Sequence, residues 1–205
     1  MTRVLAEKLL PHSMIKVSGS ARRVFTFPAD LPTAYAYYSD VGRVLGYLPH
    51  IILVRAFSYD QFRMLYSTTE LGVYHIHIYC DLQTKLIAHG GNKMIRIGPL
   101  VGVPPVKTES SFNSSTAQGV YSSLSVFRAA GGETQVEYSL SLEARLPTPG
   151  GLRVMPGAVV DVIATSLAHT RIREIVDGFV ECSIEAFPHW LAELQQPRRR
   201  RARVA

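Results

Sequence analysis

The sequence has few cysteines for a disulfide framework and lacks the long apolar runs of membrane-spanning segments. It contains only two cysteines, Cys80 and Cys182, and no apolar run approaches the roughly 20 residues that a membrane-spanning helix needs. Because the cysteines have no motif spacing, we interpret both as small buried apolar residues and not as a disulfide. The chain is therefore expected to be soluble or peripheral to a membrane, in a reducing compartment such as the cytoplasm or an organelle.

Signatures of several enzyme and metal-binding classes are also missing. The sequence has no G-x-S-x-G, G-x-x-x-x-G-K, C-x-x-C or H-E-x-x-H pattern, which argues against a hydrolase elbow, a phosphate-binding loop, a redox pair and a zinc protease. We therefore predict no catalytic residues, no metal site and no cofactor. The sequence favours a binding protein over an enzyme.

What the sequence does contain is enough apolar material for one folded domain. Of its 205 residues, 47% are hydrophobic and only 19% are charged, which excludes a disordered chain. The net charge of +6 comes from the two ends: ten of the 22 Lys and Arg residues, but one of the 16 acids, lie in 1–23 and 198–205. Residues 24–197 keep 12 basic and 15 acidic residues, a net charge of −3.

This charge distribution argues against nucleic acid as a partner, because the folded part carries no basic excess. The C-terminal sequence PRRRRARVA is interpreted as a solvated, disordered tail, and an anionic membrane surface is the alternative contact for its arginines. We therefore divide the chain into a flexible N-terminal arm (1–22), a folded domain (23–195) and a basic tail (196–205). The sequence leaves the oligomeric state open.

Two histidines lie one residue apart in the stretch VYHIHIYCD, which raises the question of a metal site. His75 and His77 share one side of the predicted strand, while Ile78 and Cys80 share the other. Asp81 is about 13 Å further along the strand than His77, too far to join both histidines around one ion. We therefore predict that the histidines form the solvent-facing side of a strand.

The predicted elements are, in order, a short strand, two short helices, an antiparallel meander and one long helix. A strand over 23–27 precedes Asp30, which has the position and chemistry of a helix N-cap, and a second short helix is predicted over 41–47. The clearest hairpin turns at Gly131–Gly132, because the strand after it alternates apolar and polar residues. A long helix is predicted over 158–194.

The apolar stripe of this long helix has many short side chains, because half of its positions are Ala or Cys. It consists of Ala164, Ala168, Ile172, Ile175, Phe179, Cys182, Ala186 and Trp190. A helix with such a stripe leaves a hollow against the sheet unless large strand residues fill it. The first turns, which include Val159 and Val162, are apolar all round and are expected to be deeply covered.

Three stretches of the sequence resemble the START-like (SRPBCC) superfamily, which includes pollen-allergen, polyketide-cyclase and lipid-transfer domains. They are FPADLPTAYAYYSDVGRVLGYLP, GGETQVEYSLSLEARLP and MPGAVVDVIATSLAHTRIREIVDGFVECSIEAFPHWL. The resemblance implies an α+β helix-grip fold, in which a curved antiparallel sheet wraps around a long C-terminal helix and two short helices follow the first strand. It also implies an apolar cavity that holds lipids, pigments, quinones or similar molecules, in a superfamily whose members are mostly not enzymes.

We therefore predict that the chain binds a hydrophobic small molecule between the sheet and the long helix. The predicted lining residues are Tyr66, Ile76, Ile78, Leu124, Tyr138, Leu140, Ala164, Ala168, Ile172 and Phe179. One alternative is a cyclase- or dehydratase-like enzyme, in which inward tyrosines lie beside an acid or base such as Glu70; these tyrosines are Tyr66, Tyr74 and Tyr138. The other is a peripheral membrane protein that handles lipid and uses its basic ends on an anionic surface.

Overall fold

The computed structural model describes residues 14–89 and 92–195 of the chain. Within these residues the strands are β1 (Met14–Phe27), β2 (Ile51–Ala56), β3 (Gln61–Glu70), β4 (Tyr74–His89), β5 (Asn92–Pro99), β6 (Glu109–Ser110), β7 (Ser114–Ala130) and β8 (Glu133–Pro147). The helices are α1 (Leu31–Ser39), α2 (Val41–Leu45) and α3 (Gly157–Gln195). A single 3-10 turn, Gly150–Leu152, lies in the loop before α3.

The strands form one curved sheet in the order β1-β8-β7-β5-β4-β3-β2, with β6 beside β7. Neighbouring strands are antiparallel, except that the first part of β4 also runs parallel to the first part of β7. Helix α3 packs chiefly against β1 and then against β8. The α+β helix-grip architecture is therefore confirmed, including the two short helices after the first strand.

The first strand is longer than the sequence predicted. It begins at Met14 and not at Arg23, and it pairs with β8 along its whole length, from Met14 opposite Pro147 to Phe27 opposite Thr134. The prediction of a flexible arm is therefore wrong for residues 14–22. Small and polar residues in this half have a weak strand preference, so the ladder with β8 decides its conformation. Residues 1–13 and the basic tail over 196–205 lie outside the described residues.

The long helix has nearly the predicted bounds, but its buried face differs from the predicted stripe beyond Phe179. Beyond Phe179 the buried positions are Ser183 and Phe187, whereas Cys182 is exposed. Steps of four residues along the helix keep 179, 183 and 187 facing the aromatic side chains of α1, so the buried-cysteine prediction holds for Cys80 alone.

The start of α3 is less covered than predicted. Val160 is buried, but Val159 and Val162 are exposed, because only one side of these turns meets the sheet. The apolar residues on the other side face outward. The prediction that the first turns are deeply covered is therefore wrong.

The second half of α3 is held to the sheet by an aromatic cluster. The rings of Phe27, Tyr37, Tyr38 and Phe187 contact one another with centroid separations of 4.7–5.4 Å. The Tyr37 hydroxyl donates to the Ser183 carbonyl oxygen at 2.7 Å, and the Tyr38 hydroxyl lies 2.9 Å from Ser183 Oγ. Burial raises the pKa of both tyrosines, so they stay neutral and hydrogen-bonded at physiological pH.

We predict that Ser183→Ala lowers the free energy of unfolding by about 1–3 kcal/mol, because it removes the partner of the buried Tyr38 hydroxyl. The neighbouring Cys182→Ala substitution is the matched control, and as an exposed change it should stay within about 0.5 kcal/mol of the parent protein. Urea denaturation of the three proteins measures both values. Equal stability of the two variants would show that the Ser183 hydroxyl has no such role.

Candidate functional site

A cavity lies between the sheet and the first half of α3. Its volume is about 90 Å3, which is room for several water molecules. The lining residues are Ile15, Val17, Tyr66, Thr68, Glu70, Leu71, Tyr74, Ile76, Ile78, Ser115, Leu146, Pro149, Leu152, Met155, Val160, Ile163, Ala164, Leu167, Ala168 and Arg171. We call this space the sheet–helix cavity.

The cavity exists because α3 comes close to one edge of the sheet and presents small side chains towards its middle. A Cβ atom at Gly19 of β1 would lie 2.5 Å from Ile172 Cδ1, so the glycine is what lets the helix approach this strand. One and two turns earlier in the helix, Ala168 and Ala164 face Ile78 and its neighbours in β4. Two methyl groups do not fill that space, and a hollow remains.

The polar residues of the cavity are concentrated at the end of β3. Arg171 of α3 forms a two-bond ion pair with Glu70: Nε donates to Oε1 at 2.9 Å, and Nη2 donates to Oε2 at 3.2 Å. The Thr68 hydroxyl donates to Glu70 Oε1 at 3.2 Å. On the solvent side, Arg171 Nη1 donates to Glu174 Oε2 at 2.6 Å. The ion pair therefore links α3 to β3 beside the cavity, and its polar atoms are turned towards each other.

The surroundings stabilise the charged form of Arg171 and the neutral form of Tyr66 at this end of the cavity. The hydrogen bonds that Arg171 donates to the Glu70 and Glu174 carboxylates raise the pKa of its guanidinium, which is therefore always charged. Burial, and secondarily the nearby Glu70 charge, raise the pKa of Tyr66 well above its ordinary value. Tyr66 is thus a neutral hydroxyl group beside an internally neutralised ion pair, and the remaining wall is almost entirely apolar.

The structure brings half of the predicted lining residues together at this cavity: Tyr66, Ile76, Ile78, Ala164 and Ala168. The others lie elsewhere. The rings of Tyr138 and Phe179 contact each other at a tilt, with a centroid separation of 4.3 Å, beside a separate hollow of about 20 Å3. Leu140 and Ile172 are packed into the core.

Leu124, which was predicted to line the cavity, lies instead on the convex face of the sheet. Its neighbours Tyr121, Ser123, Ser125 and Phe127 point inward. Since side chains alternate along a strand, the burial of two large rings at 121 and 127 directs Leu124 outward. A run of serines on both sides of Leu124 hides this alternation in the sequence.

Other lining residues escape sequence reasoning altogether. Ile15 and Val17 alternate with polar neighbours, a strand signal that the interpretation of this segment as an arm misses. Leu152 and Met155 come from the loop before α3, which has no periodicity to mark an inward side. Leu146 continues the inward face of β8 and could have been included on that ground.

The histidine pair lies on the outer side of β4, as expected from the alternation. His75 is exposed, with its Nδ1 3.1 Å from Thr69 Oγ1, while Ile78 and Cys80 are fully buried on the opposite side. Within residues 14–89 and 92–195, no three His, Cys, Asp or Glu side chains come together as metal ligands. The carboxylate that does face the cavity, Glu70, is engaged by an arginine and a threonine.

Comparison with solved structures finds proteins of similar fold. No protein-family model matches the chain, and neither does any curated protein sequence. A STAR-related lipid transfer protein from Xanthomonas axonopodis has a similar structure, with a TM-score of 0.52 and 10% identity over 82% of this chain and 85% of that one. A protein from Thermus thermophilus follows at a TM-score of 0.47, with 15% identity over 82% and 99% of the two chains. The Zhui aromatase/cyclase of a Streptomyces species has a TM-score of 0.43, with 10% identity over 86% and 94%.

The chain therefore has the START-like helix-grip fold. No helix among the described residues is long and apolar enough to cross a membrane.

We predict that Glu70→Gln lowers the free energy of unfolding by about 1–3 kcal/mol, because it leaves the Arg171 charge without its buried partner. Breaking a fully buried pair costs about 3–5 kcal/mol, and solvent reduces this here because the Arg171 side chain is 27% exposed. Glu174→Gln is the control on the exposed side of the same guanidinium and should cost less than about 1 kcal/mol. Thermal and urea unfolding measure the difference; a larger loss for Glu174→Gln would contradict the assignment.

Proposed function

We propose that the protein binds a hydrophobic small molecule in the sheet–helix cavity. The observation that carries the proposal is a cavity with room for several water molecules and an almost wholly apolar wall. A water molecule in a protein needs two to four polar partners, and the apolar part of this wall offers none, which favours an apolar guest there. The candidate contacts are Tyr66, Ile76, Ile78, Ala164 and Ala168.

The binding energy would come from burial and shape. Each Å2 of apolar surface removed from water contributes about 25 cal/mol, and the Tyr66 hydroxyl is available to orient a polar atom of the guest. Leu152 and Met155 cover the cavity from the loop before α3, and a flexible methionine adapts easily to guests of different shape. A lipid, a pigment or a quinone has apolar surface of the kind that this wall would bury. The lipid-transfer name of the Xanthomonas axonopodis structure is in keeping with this class of ligand.

We predict that Ala164→Phe abolishes binding, because the phenyl ring occupies the space left by the alanine. Thr165→Phe is the matched control: it introduces the same ring on the same helical turn, but at an exposed position. Native mass spectrometry and solvent extraction of the purified proteins would measure the ligand retained, and titration with an apolar fluorophore would measure the emptied site. We expect at least a tenfold loss of binding for Ala164→Phe alone, equivalent to about 1.4 kcal/mol.

Two results would overturn the proposal. One is parent protein that retains no apolar molecule and binds no apolar probe after extraction. The other is equal binding by the Ala164→Phe and Thr165→Phe variants when both are folded.

We also infer a second function, contact with a membrane surface, from exposed apolar residues around the mouth of the cavity. Leu71 both lines the cavity and is exposed, and Phe112 and Val154 are 76% and 88% exposed. Phe112 is held near the mouth because its carbonyl oxygen accepts a hydrogen bond from Gly151 N at 2.8 Å, beside the lining residue Leu152. Apolar residues exposed together in this way mark interaction surfaces. An apolar guest could pass between a bilayer and the cavity through this mouth without crossing water.

We predict that Phe112→Asp reduces co-flotation with vesicles of phosphatidylcholine and phosphatidylserine, because a carboxylate does not enter the bilayer. Val24→Asp, at an exposed apolar position on β1 away from the mouth, should leave flotation unchanged. A truncation that removes residues 198–205 separates the contribution of the arginine tail. If Phe112→Asp floats like the parent protein, the mouth is not the membrane contact.

A further inference from the structure

Arg171 and Glu70 are the two charged residues among the described residues that line the sheet–helix cavity. The other lining side chains are apolar or carry an uncharged hydroxyl group. Arg171 is thus the one cation of this described wall, and an anionic group of a guest inside the cavity would depend on it for a partner. A charged group that is buried without a partner is strongly disfavoured.

Glu70 already occupies this cation. Its carboxylate oxygens accept hydrogen bonds from Nε and Nη2 of Arg171 at 2.9 and 3.2 Å, and Oε1 accepts a third from the Thr68 hydroxyl at 3.2 Å. Glu70 is only 8% exposed, so water cannot take the place of the guanidinium around it. A guest carboxylate that displaced Glu70 from Arg171 would leave a buried carboxylate without its cation, which is strongly destabilising.

The outer side of Arg171 offers an anion no better place. There Nη1 donates to Glu174 Oε2 at 2.6 Å, so two carboxylates surround one guanidinium. Leu71, which is exposed at the mouth of the cavity, directly follows Glu70 in the chain. An anionic head group at this end therefore meets a net negative charge, and one turned towards the rest of the wall meets apolar side chains.

We propose that Glu70 restricts the cavity to uncharged amphiphiles by occupying Arg171, and that Arg171 binds an anionic head group once Glu70 is removed. This inference rests on the proposed function, because it concerns the polar group of the guest that the cavity holds. The neutral Tyr66 hydroxyl can donate a hydrogen bond to such a guest or accept one from it. The guest class is an apolar molecule with a hydroxyl, carbonyl or amide group, and fatty-acid anions are excluded from it.

The test compares two probes that differ in charge but hardly in shape, decanamide and decanoate. Displacement of an apolar fluorophore at about pH 8, where the carboxyl group of decanoate is ionised, measures both dissociation constants. Their ratio is the readout, because a variant that merely enlarges the cavity changes both constants in the same direction. The parent protein should bind decanamide about tenfold more tightly than decanoate, or better.

Glu70→Ala should shift this ratio towards decanoate by about tenfold or more, because Nε and Nη2 of Arg171 can then donate to the carboxylate of the probe. Glu174→Ala is the matched control: it removes a carboxylate from the same guanidinium, but on the solvent side, where the Glu174 side chain is 43% exposed. Its ratio should stay within about threefold of that of the parent, since exposed ion pairs contribute little. The double variant Glu70→Ala/Arg171→Met also lacks the cation and should show no gain for decanoate.

Thermal unfolding keeps the test decisive if Glu70→Ala is unstable. A ligand that binds the folded state raises the unfolding midpoint, and decanoate supplies the carboxylate that this variant lacks. Decanoate should therefore raise the midpoint of Glu70→Ala more than decanamide does, whereas decanamide should have the larger effect on the parent.

Four outcomes would overturn this inference while the proposed function stands, provided that the parent binds the fluorophore. They are equal affinity of the parent for the two probes, the same ratio in Glu70→Ala and Glu174→Ala, an equal gain for decanoate in the double variant, and no stabilisation of Glu70→Ala by decanoate. A parent protein that binds neither probe nor the fluorophore would overturn the proposed function, and this inference with it.

Discussion

The distance between α3 and the sheet is the constraint on which the rest of the structure depends. Gly19 lets Ile172 approach β1, and Gly178 allows an equally close approach of the helix to Pro49. Further along β3, the ion pair between Glu70 and Arg171 links the helix to the sheet without filling the space between them. The helix is therefore close to its neighbours at Gly19 and Gly178, and it leaves space beside Ala164 and Ala168. The sheet–helix cavity is the direct result of this difference.

The two halves of α3 consequently differ in how closely they pack against the rest of the protein. The second half is fixed by aromatic rings and by two tyrosine hydroxyls that converge on Ser183, which is a well-packed and fully hydrogen-bonded arrangement. The first half covers a hollow and leaves Val159 and Val162 exposed. Regions with few buried contacts open more easily than regions with many, so the part of the molecule suited to admitting a guest is the part with the thinner cover. The second half of α3 therefore contributes mainly to stability, and the first half borders the space suited to a guest.

Much of this fold could be predicted from the sequence, because its strongest signals are local. The Asp30 cap, the alternation along β8 and the long period of α3 each predict their element correctly, and the Asp30 side chain does accept a hydrogen bond from Thr33 N at 3.0 Å. Half of the predicted cavity residues line the cavity for the same reason: the inward side of β4 and the small positions of α3 can be recognised from period alone.

The remaining errors have a common physical origin in long-range contacts. The first half of β1 has weak local preferences and becomes a strand because β8 pairs with it. Leu124 lies among serines, and its outward direction is decided by where Tyr121 and Phe127 are buried. Neither the loop residues Leu152 and Met155 nor the ion-pair partner of Glu70 is marked by any pattern in the neighbouring sequence. These features depend on which segments meet in space.

The most direct measurement of the central claim is a crystal structure determined under xenon pressure. Xenon is small, apolar and easily located by its electron density, and it enters dry apolar cavities. A hollow that α3 fails to fill should hold xenon in contact with Ile78 and Ala164, at positions free of ordered water. Absence of xenon there, or a chain of ordered waters in its place, would mean that helix and sheet enclose no dry space, and the account of a binding cavity would have to be abandoned.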